Sequence, residues 1–152
     1  MNFIKMSDEE FKIFQKRSME SYGKDIARNR EISEEEGIKL AHEQEEDILK
    51  PKEGETHYFF TLIENEKKCG WLWVNSKEVG ARKDFFIYDI FLEEEFRGRG
   101  LGEKAMSMLE DKVKELKGSR IGLHVFGFNE RAIKLYKKMG YETTNIGMRK
   151  KL

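Results

Sequence analysis

The segment Arg97-Gly98-Arg99-Gly100-Leu101-Gly102 stands between an apolar run, Phe85-Phe86-Ile87-Tyr88-Asp89-Ile90-Phe91-Leu92, and a stretch in which Leu101, Ala105, Leu109, Val113 and Leu116 recur at helical spacing. It reads as a strand-to-helix turn. Glycine at alternate positions lets the backbone turn tightly and approach a ligand without Cβ interference. Unpaired amides of the first helical turn then face outward along the positive end of the helix dipole, with Arg97, Arg99 and Lys104 adding charge nearby. These features suit a phosphate or pyrophosphate, and they also describe a structural connection that carries surface arginines. The turn alone leaves both readings open. A P-loop is excluded because no Gly-Lys-Ser or Gly-Lys-Thr follows, and a dinucleotide fingerprint because the glycines are evenly spaced and lie late in the chain.

Upstream of the turn, Tyr58 to Ile63 and Trp71 to Val74 join Phe85 to Leu92 as runs rich in aromatic and β-branched residues, predicting three strands. Asn65 to Lys68 reads as a hairpin turn between the first two, and Asn75 to Asp84 as a longer polar connection. The third run lacks polar alternation, which predicts a strand covered on both faces. Further upstream, Ser7 with Glu10 and Ser33 with Glu36 signal two helix starts, and Pro51 ends the second helix.

Downstream, Gly118 is expected to stop the helix that begins at Leu101, and Ile121 to Phe126 forms another strand. Asn129 caps a short helix in which Ala132, Leu135, Tyr136 and Met139 share a face. Gly140 closes that helix before an extended tail from Tyr141 to Met148.

With 29 basic against 29 acidic side chains, the 152-residue chain lacks the basic excess of a nonspecific nucleic-acid binder. No apolar stretch approaches the ~20 residues needed to cross a bilayer, and the charged amino terminus does not read as a secretory signal, so a cytoplasmic protein outside the membrane is expected. His42, His57 and His124 are scattered without zinc-ligand spacing, and no metal is expected. Cys69, beside Gly70 in a predicted strand, reads as a small packing residue. No internal repeat or second-domain boundary appears, so residues 1–152 are expected to form a single domain.

The segment Arg97 to Gly102 resembles the Arg/Gln-x-x-Gly-x-Gly/Ala signature of the GCN5-related N-acetyltransferases. A second segment is similar to the same family's later pattern, in which an Asn opens a helix carrying Ala and Tyr and ending at Gly-Phe or Gly-Tyr. Here those positions are Leu123 to Phe126, Asn129, Ala132, Leu135-Tyr136 and Met139-Gly140-Tyr141. The resemblance runs from about Tyr58 to the carboxyl end, and the two segments in order are more specific than either alone. It implies an α/β (α+β) fold whose mixed, mostly antiparallel central sheet is splayed at its middle and flanked by helices. Acetyl-CoA would lie in the split between the strand ending near Leu92 and the one beginning near Ile121.

The resemblance further implies an N-acetyltransferase that moves an acetyl group from acetyl-CoA to a primary amine by direct attack in a ternary complex. The acceptor would be a small molecule or a protein amino group. Main-chain groups of Phe91 and Leu92 would pair with the pantetheine arm, and Arg97, Gly98, Arg99, Gly100, Leu101 and Gly102 would hold the pyrophosphate. Asn129 would contact the cosubstrate near its sulfur, and Tyr136 would protonate the departing thiolate. On residue type alone, Asn129 reads as a helix cap and Tyr136 as a core residue.

Asp89, the one acid inside an apolar strand, is the candidate general base, or else a structural carboxylate held by an amide or an arginine. Glu93, Glu94 and Glu95 read as a solvated acidic turn that could also draw in a cationic amine, and the Pro common in the family near Glu94 is absent. Trp71, Trp73 and Tyr88 are either core or lining of an acceptor pocket. Many family members pair through their sheets, so a homodimer is open. The alternative reading is a noncatalytic acyl-CoA-binding sensor or interaction module with the same fold.

Overall fold

Two helices begin where the capping signals place them. In the computed structural model, which describes residues 1–152, α1 spans Asp8–Arg30 behind a capping box of Ser7 and Glu10. The second helix, α2, spans Glu34–Leu49, with the Ser33 hydroxyl accepting from the Glu36 amide. The two cross at direct backbone contact: a Cβ added to Gly37 would lie 2.1 Å from the Gly23 carbonyl oxygen. Glycine at both positions is what lets the helices approach so closely.

The strands are β1 Asn2–Lys5, β2 Glu55–Glu64, β3 Lys67–Val79, β4 Arg82–Leu92 and β5 Arg120–Leu123. They form one sheet in the order β1-β2-β3-β4-β5, antiparallel except for the β4–β5 pair, which is parallel. Helix α3, Leu101–Glu115, supplies the crossover that a parallel pair requires. Helix α4, Glu130–Lys138, follows β5 and is capped by the Asn129 side chain, which accepts from the Ala132 amide at 3.3 Å.

Side chains from both faces of the sheet form packed layers. Leu62, Leu72, Val74, Phe85 and Ile87 meet Leu101, Ala105, Met106, Leu109 and Val113 of α3 on one face. On the other face Trp71 and Trp73 pack with Phe14, Met19 and Ile26 of α1 and Ala41 of α2. Cys69 is fully buried among the α3-side residues, so it is a packing residue as read, and burial pushes its thiol up.

One strand escaped the sequence reading, and three expectations are corrected. The amino terminus forms β1, which pairs with β2 from Asn2↔Ile63 to Lys5↔Phe60, because a four-residue strand is fixed by its partner rather than by its own pattern. The supposed connection from Asn75 to Asp84 is the arm of a hairpin closed by Gly80-Ala81. Asn75 and Ser76 are still buried, and from Lys77 onward it carries polar residues because it projects past the core, with opposite-charge register pairs Lys77↔Asp84 and Glu78↔Lys83. The last strand stops at Leu123 rather than Phe126, and residues 141–152 form neither strand nor helix. At the end of α3 the left-handed residue is Lys117, one before Gly118.

One irregularity shapes the site. The β3–β4 register pairs Val74 with Ile87 and Trp73 with Asp89, so Tyr88 is an extra residue on β4. A one-residue bulge reverses the alternation beyond it. Phe85 and Ile87 face α3 before the bulge, and Ile90 and Leu92 face α3 after it. Asp89 is thereby turned to the α1 side, where strict alternation would have buried it against α3.

Candidate active site at the β4–β5 split

Strands β4 and β5 pair only from Asp84↔Arg120 to Ile87↔Leu123. Beyond Ile87, β4 continues to Leu92 while β5 ends, so the sheet opens at the bulge. The opened edge brings together Asp89 and the end of β4, the glycine turn before α3, and Tyr136 on α4.

The turn is anchored by Phe96, which is buried in the α3-side core. Arg97 folds back and donates from Nε to the Leu92 carbonyl at 2.8 Å, with its guanidinium 5.2 Å from the centre of the Phe91 ring. Gly98 and Gly100 have φ of 73° and 72°, a left-handed conformation that disfavours side chains, and a Cβ at either would meet nothing within 4 Å. Backbone conformation favours glycine there, and the space in front is open to a ligand. The first bond of α3 is Lys104 N–H to Gly100 O, and no side chain caps the helix. The amides of Leu101, Gly102 and Glu103 are therefore free of helical acceptors. Open space, left-handed glycines and free amides fit a pyrophosphate.

The basic residues divide. Arg97 and Arg99 remain exposed at the turn. Lys104 is exposed as well but already paired: its Nζ lies 3.0 Å from Glu64, which also binds the amino terminus at 2.9 Å, so the charge expected at the phosphate site is engaged by the protein's own carboxylate. Of the main-chain groups expected to meet the pantetheine arm, the Leu92 carbonyl is already occupied by Arg97.

Asp89 Oδ2 accepts from the Ser18 hydroxyl at 2.6 Å and from the Trp71 indole at 2.7 Å. Burial pushes this carboxyl above the usual range, opposed by those two donors and the Ile90 amide, while the Asp25 charge adds to the rise. Tyr136 is half-buried, and its phenol is raised by burial first and by the Asp89 charge second. It keeps its proton at neutral pH and has one to give. Tyr141 packs beside it, ring centres 5.8 Å apart. Asn129 serves as the α4 cap, the role its residue type suggests.

The remaining acceptor-side expectations separate as well. Trp71 and Trp73 are buried and belong to the core, while Tyr88 is partly exposed and stacks on Trp73 at 4.6 Å. Glu93 is neither a free turn residue nor a lure for amines, because Arg17 of α1 grips it with two bonds of 2.6 and 3.1 Å. That arginine also lies 4.8 Å over Trp71. Glu94 and Glu95 remain exposed. Sequence reading missed Ser18 and Arg17, which reach the site from α1 and carry no local motif. No group of three or more His, Cys, Asp or Glu residues is placed to hold a metal ion, and no helix is long and apolar enough to cross a membrane.

The family profile described as acetyltransferase (GNAT) family matches residues 22–141, which covers α1 from its middle, α2, the strands β2 to β5, α3 and α4. The chain belongs to the GNAT acetyltransferase family. YdgE of Bacillus subtilis, an uncharacterized N-acetyltransferase, is 36% identical over 149 residues, spanning 97% of this chain and 95% of the relative. The crystal structure of YycN from the same organism, a GNAT-type fold described as an acetyltransferase, superposes with a TM-score of 0.90 at 28% identity, over 99% of this chain and 98% of that one. A spermine/spermidine N(1)-acetyltransferase of B. subtilis is 40% identical over 84 residues, 55% of this chain and 47% of the relative. GNAT acetyltransferases use acetyl-CoA as cosubstrate, and the five-stranded, mostly antiparallel sheet with four helices is their architecture.

Proposed function

We propose that this chain is an acetyl-CoA-dependent N-acetyltransferase whose acceptor is a primary amine, with Asp89 as general base and Tyr136 as general acid. The observation that carries this reading is the convergence of a buried carboxylate and a protonated phenol on the opened edge of β4, beside a turn fitted to a pyrophosphate. The relative that acts on spermine and spermidine supports an amine acceptor.

An alkylammonium, with a pKa of roughly 10.4, is not a nucleophile, so the site must take a proton from the amine. Asp89 takes that proton from the ammonium and so frees the nitrogen lone pair, which attacks the acetyl carbon; the second nitrogen proton passes to solvent as the tetrahedral intermediate collapses to the amide. Carbon–sulfur cleavage leaves a thiolate, which Tyr136 protonates before regaining its own proton from solvent. Acetyl-CoA supplies the thioester. The turn from Arg97 to Gly102 holds its pyrophosphate, while main-chain groups of Phe91 and Leu92 not already bonded align the pantetheine arm. Asn129, beyond its cap, contacts the cosubstrate near its sulfur, the role the family resemblance gives it. A backbone donor placed at the developing oxyanion stabilises it more than water would. The amine approaches from the α1 side, where a cavity of about 250 Å³ is walled by Tyr22, Ile26 and Phe126, one helical turn beyond Ser18.

A noncatalytic acyl-CoA sensor would need the turn but neither Asp89 nor Tyr136. Thermal shift with coenzyme A, followed by thiol release from acetyl-CoA with spermidine, lysine, an aminoglycoside and a peptide amino terminus, separates the cases. The expected result is stabilisation by coenzyme A and release with at least one amine. Stabilisation without release indicates a sensor, and no stabilisation at saturating ligand sinks the reading altogether.

A further inference from the structure

Ser18 lies on the inner face of α1, only 2% exposed, and its hydroxyl reaches across to β4. A serine inside a helix ordinarily turns its hydroxyl back to its own backbone or out to water. Here it donates to Asp89 Oδ2 at 2.6 Å, joined on the same oxygen by the Trp71 indole at 2.7 Å. Both side-chain donors are thus committed to one carboxylate oxygen, and Oδ1 takes neither. The donors come from separate elements, α1 and β3, so the carboxylate is gripped from two directions behind the opened edge.

We propose that Ser18, assisted by Trp71, is a positioning residue that fixes the Asp89 carboxylate at the β4–β5 split with Oδ1 presented to the incoming amine. The proposal rests on Asp89 being the base.

Its electrostatic consequence follows from the groups that face Asp89. From α1 come the Ser18 hydroxyl and the half-buried Asp25, whose negative charge opposes ionisation. Arg17, also on α1, is committed to Glu93 at the end of β4. From β3 comes the Trp71 indole, from α4 the neutral Tyr136, and from β4 itself the Ile90 amide. The donors alone therefore favour the charged carboxylate against burial and Asp25. Removing one raises the pH at which Asp89 becomes a base.

The test is the pH dependence of kcat for thiol release from acetyl-CoA, with spermidine or the best amine of the panel at saturation. Ser18→Ala is expected to move the acidic limb upward by about one pH unit, lowering the rate about tenfold below the limb and little above it. Coenzyme A affinity is expected to stay constant. Ser18→Thr, which keeps the hydroxyl, is expected to restore the limb, and Trp71→Phe to move it in the same direction as Ser18→Ala. A limb that stays put in Ser18→Ala, with the rate lowered equally at all pH or only the melting temperature lowered, overturns the proposal and makes Ser18 structural. Wild-type rate and limb in Asp89→Asn would instead remove Asp89 as base, a separate failure that takes the positioning role with it.

Discussion

Along the donor side of the split, from Leu92 to Glu103, the candidate chemistry resides in main-chain atoms: left-handed Gly98 and Gly100 and the free amides that open α3. Along the acceptor side it resides in side chains that meet from distant parts of the chain, with Ser18 and Trp71 both bonded to Asp89. A backbone site must be written as a contiguous pattern, because only neighbouring residues set φ and expose successive amides. A side-chain site has no such constraint, and its members are brought together only when the sheet and helices pack.

The two sides should therefore fail differently when altered. The largest of these effects is expected for Tyr136→Phe, which removes the proposed acid for the thiolate: kcat falls about a hundredfold while coenzyme A affinity is unchanged. Steady-state kinetics with a parallel binding titration checks it, and equal loss of both would mean that Tyr136 only packs.

Next comes Gly37→Ala, which drives a Cβ to 2.1 Å from the Gly23 carbonyl. Overpacking of that kind costs about 1–3 kcal/mol, offset in part by the ~1 kcal/mol of helix propensity gained. A melting temperature lowered by several degrees is expected, with coenzyme A binding retained in the folded fraction. No change in melting temperature would show that the helices separate freely.

Gly100→Val places a β-branched residue at a φ of 72°, costing ~1–2 kcal/mol, so the melting temperature is expected to fall by a few degrees and, where the turn relaxes to relieve the strain, the coenzyme A dissociation constant to rise about tenfold. The smallest effect is expected for Lys104→Met. Its charge is already spent on Glu64, so titration should show coenzyme A affinity within about threefold of wild type. A large loss there would return Lys104 to the phosphate site.

The same contrast explains what was legible beforehand. Ser7 with Glu10 and Ser33 with Glu36 announce α1 and α2, and Arg97 to Gly102 announces the turn, because caps and glycine turns act within a few residues. Asn129 was readable as a cap for the same reason. The hairpin arm beyond Ser76 was not, since its polar residues stand opposite cross-strand partners of opposite charge rather than against a core. The bulge at Tyr88 left no trace because every residue around Asp89 is apolar, so a slip in alternation cannot be seen. Ser18 was silent for a further reason: in the sequence it is one polar residue on a long helix, and only packing turns it toward β4.

The most direct test of the account is thiol release from acetyl-CoA in the presence of an amine, followed against pH for the wild type and Asp89→Asn. The account predicts that wild-type kcat rises with pH through an acidic limb above the ordinary carboxylate range, because burial holds Asp89 there and the base works only when ionised. It predicts that Asp89→Asn lowers kcat at least a hundredfold while coenzyme A still binds. A variant that keeps the wild-type rate and limb would contradict it.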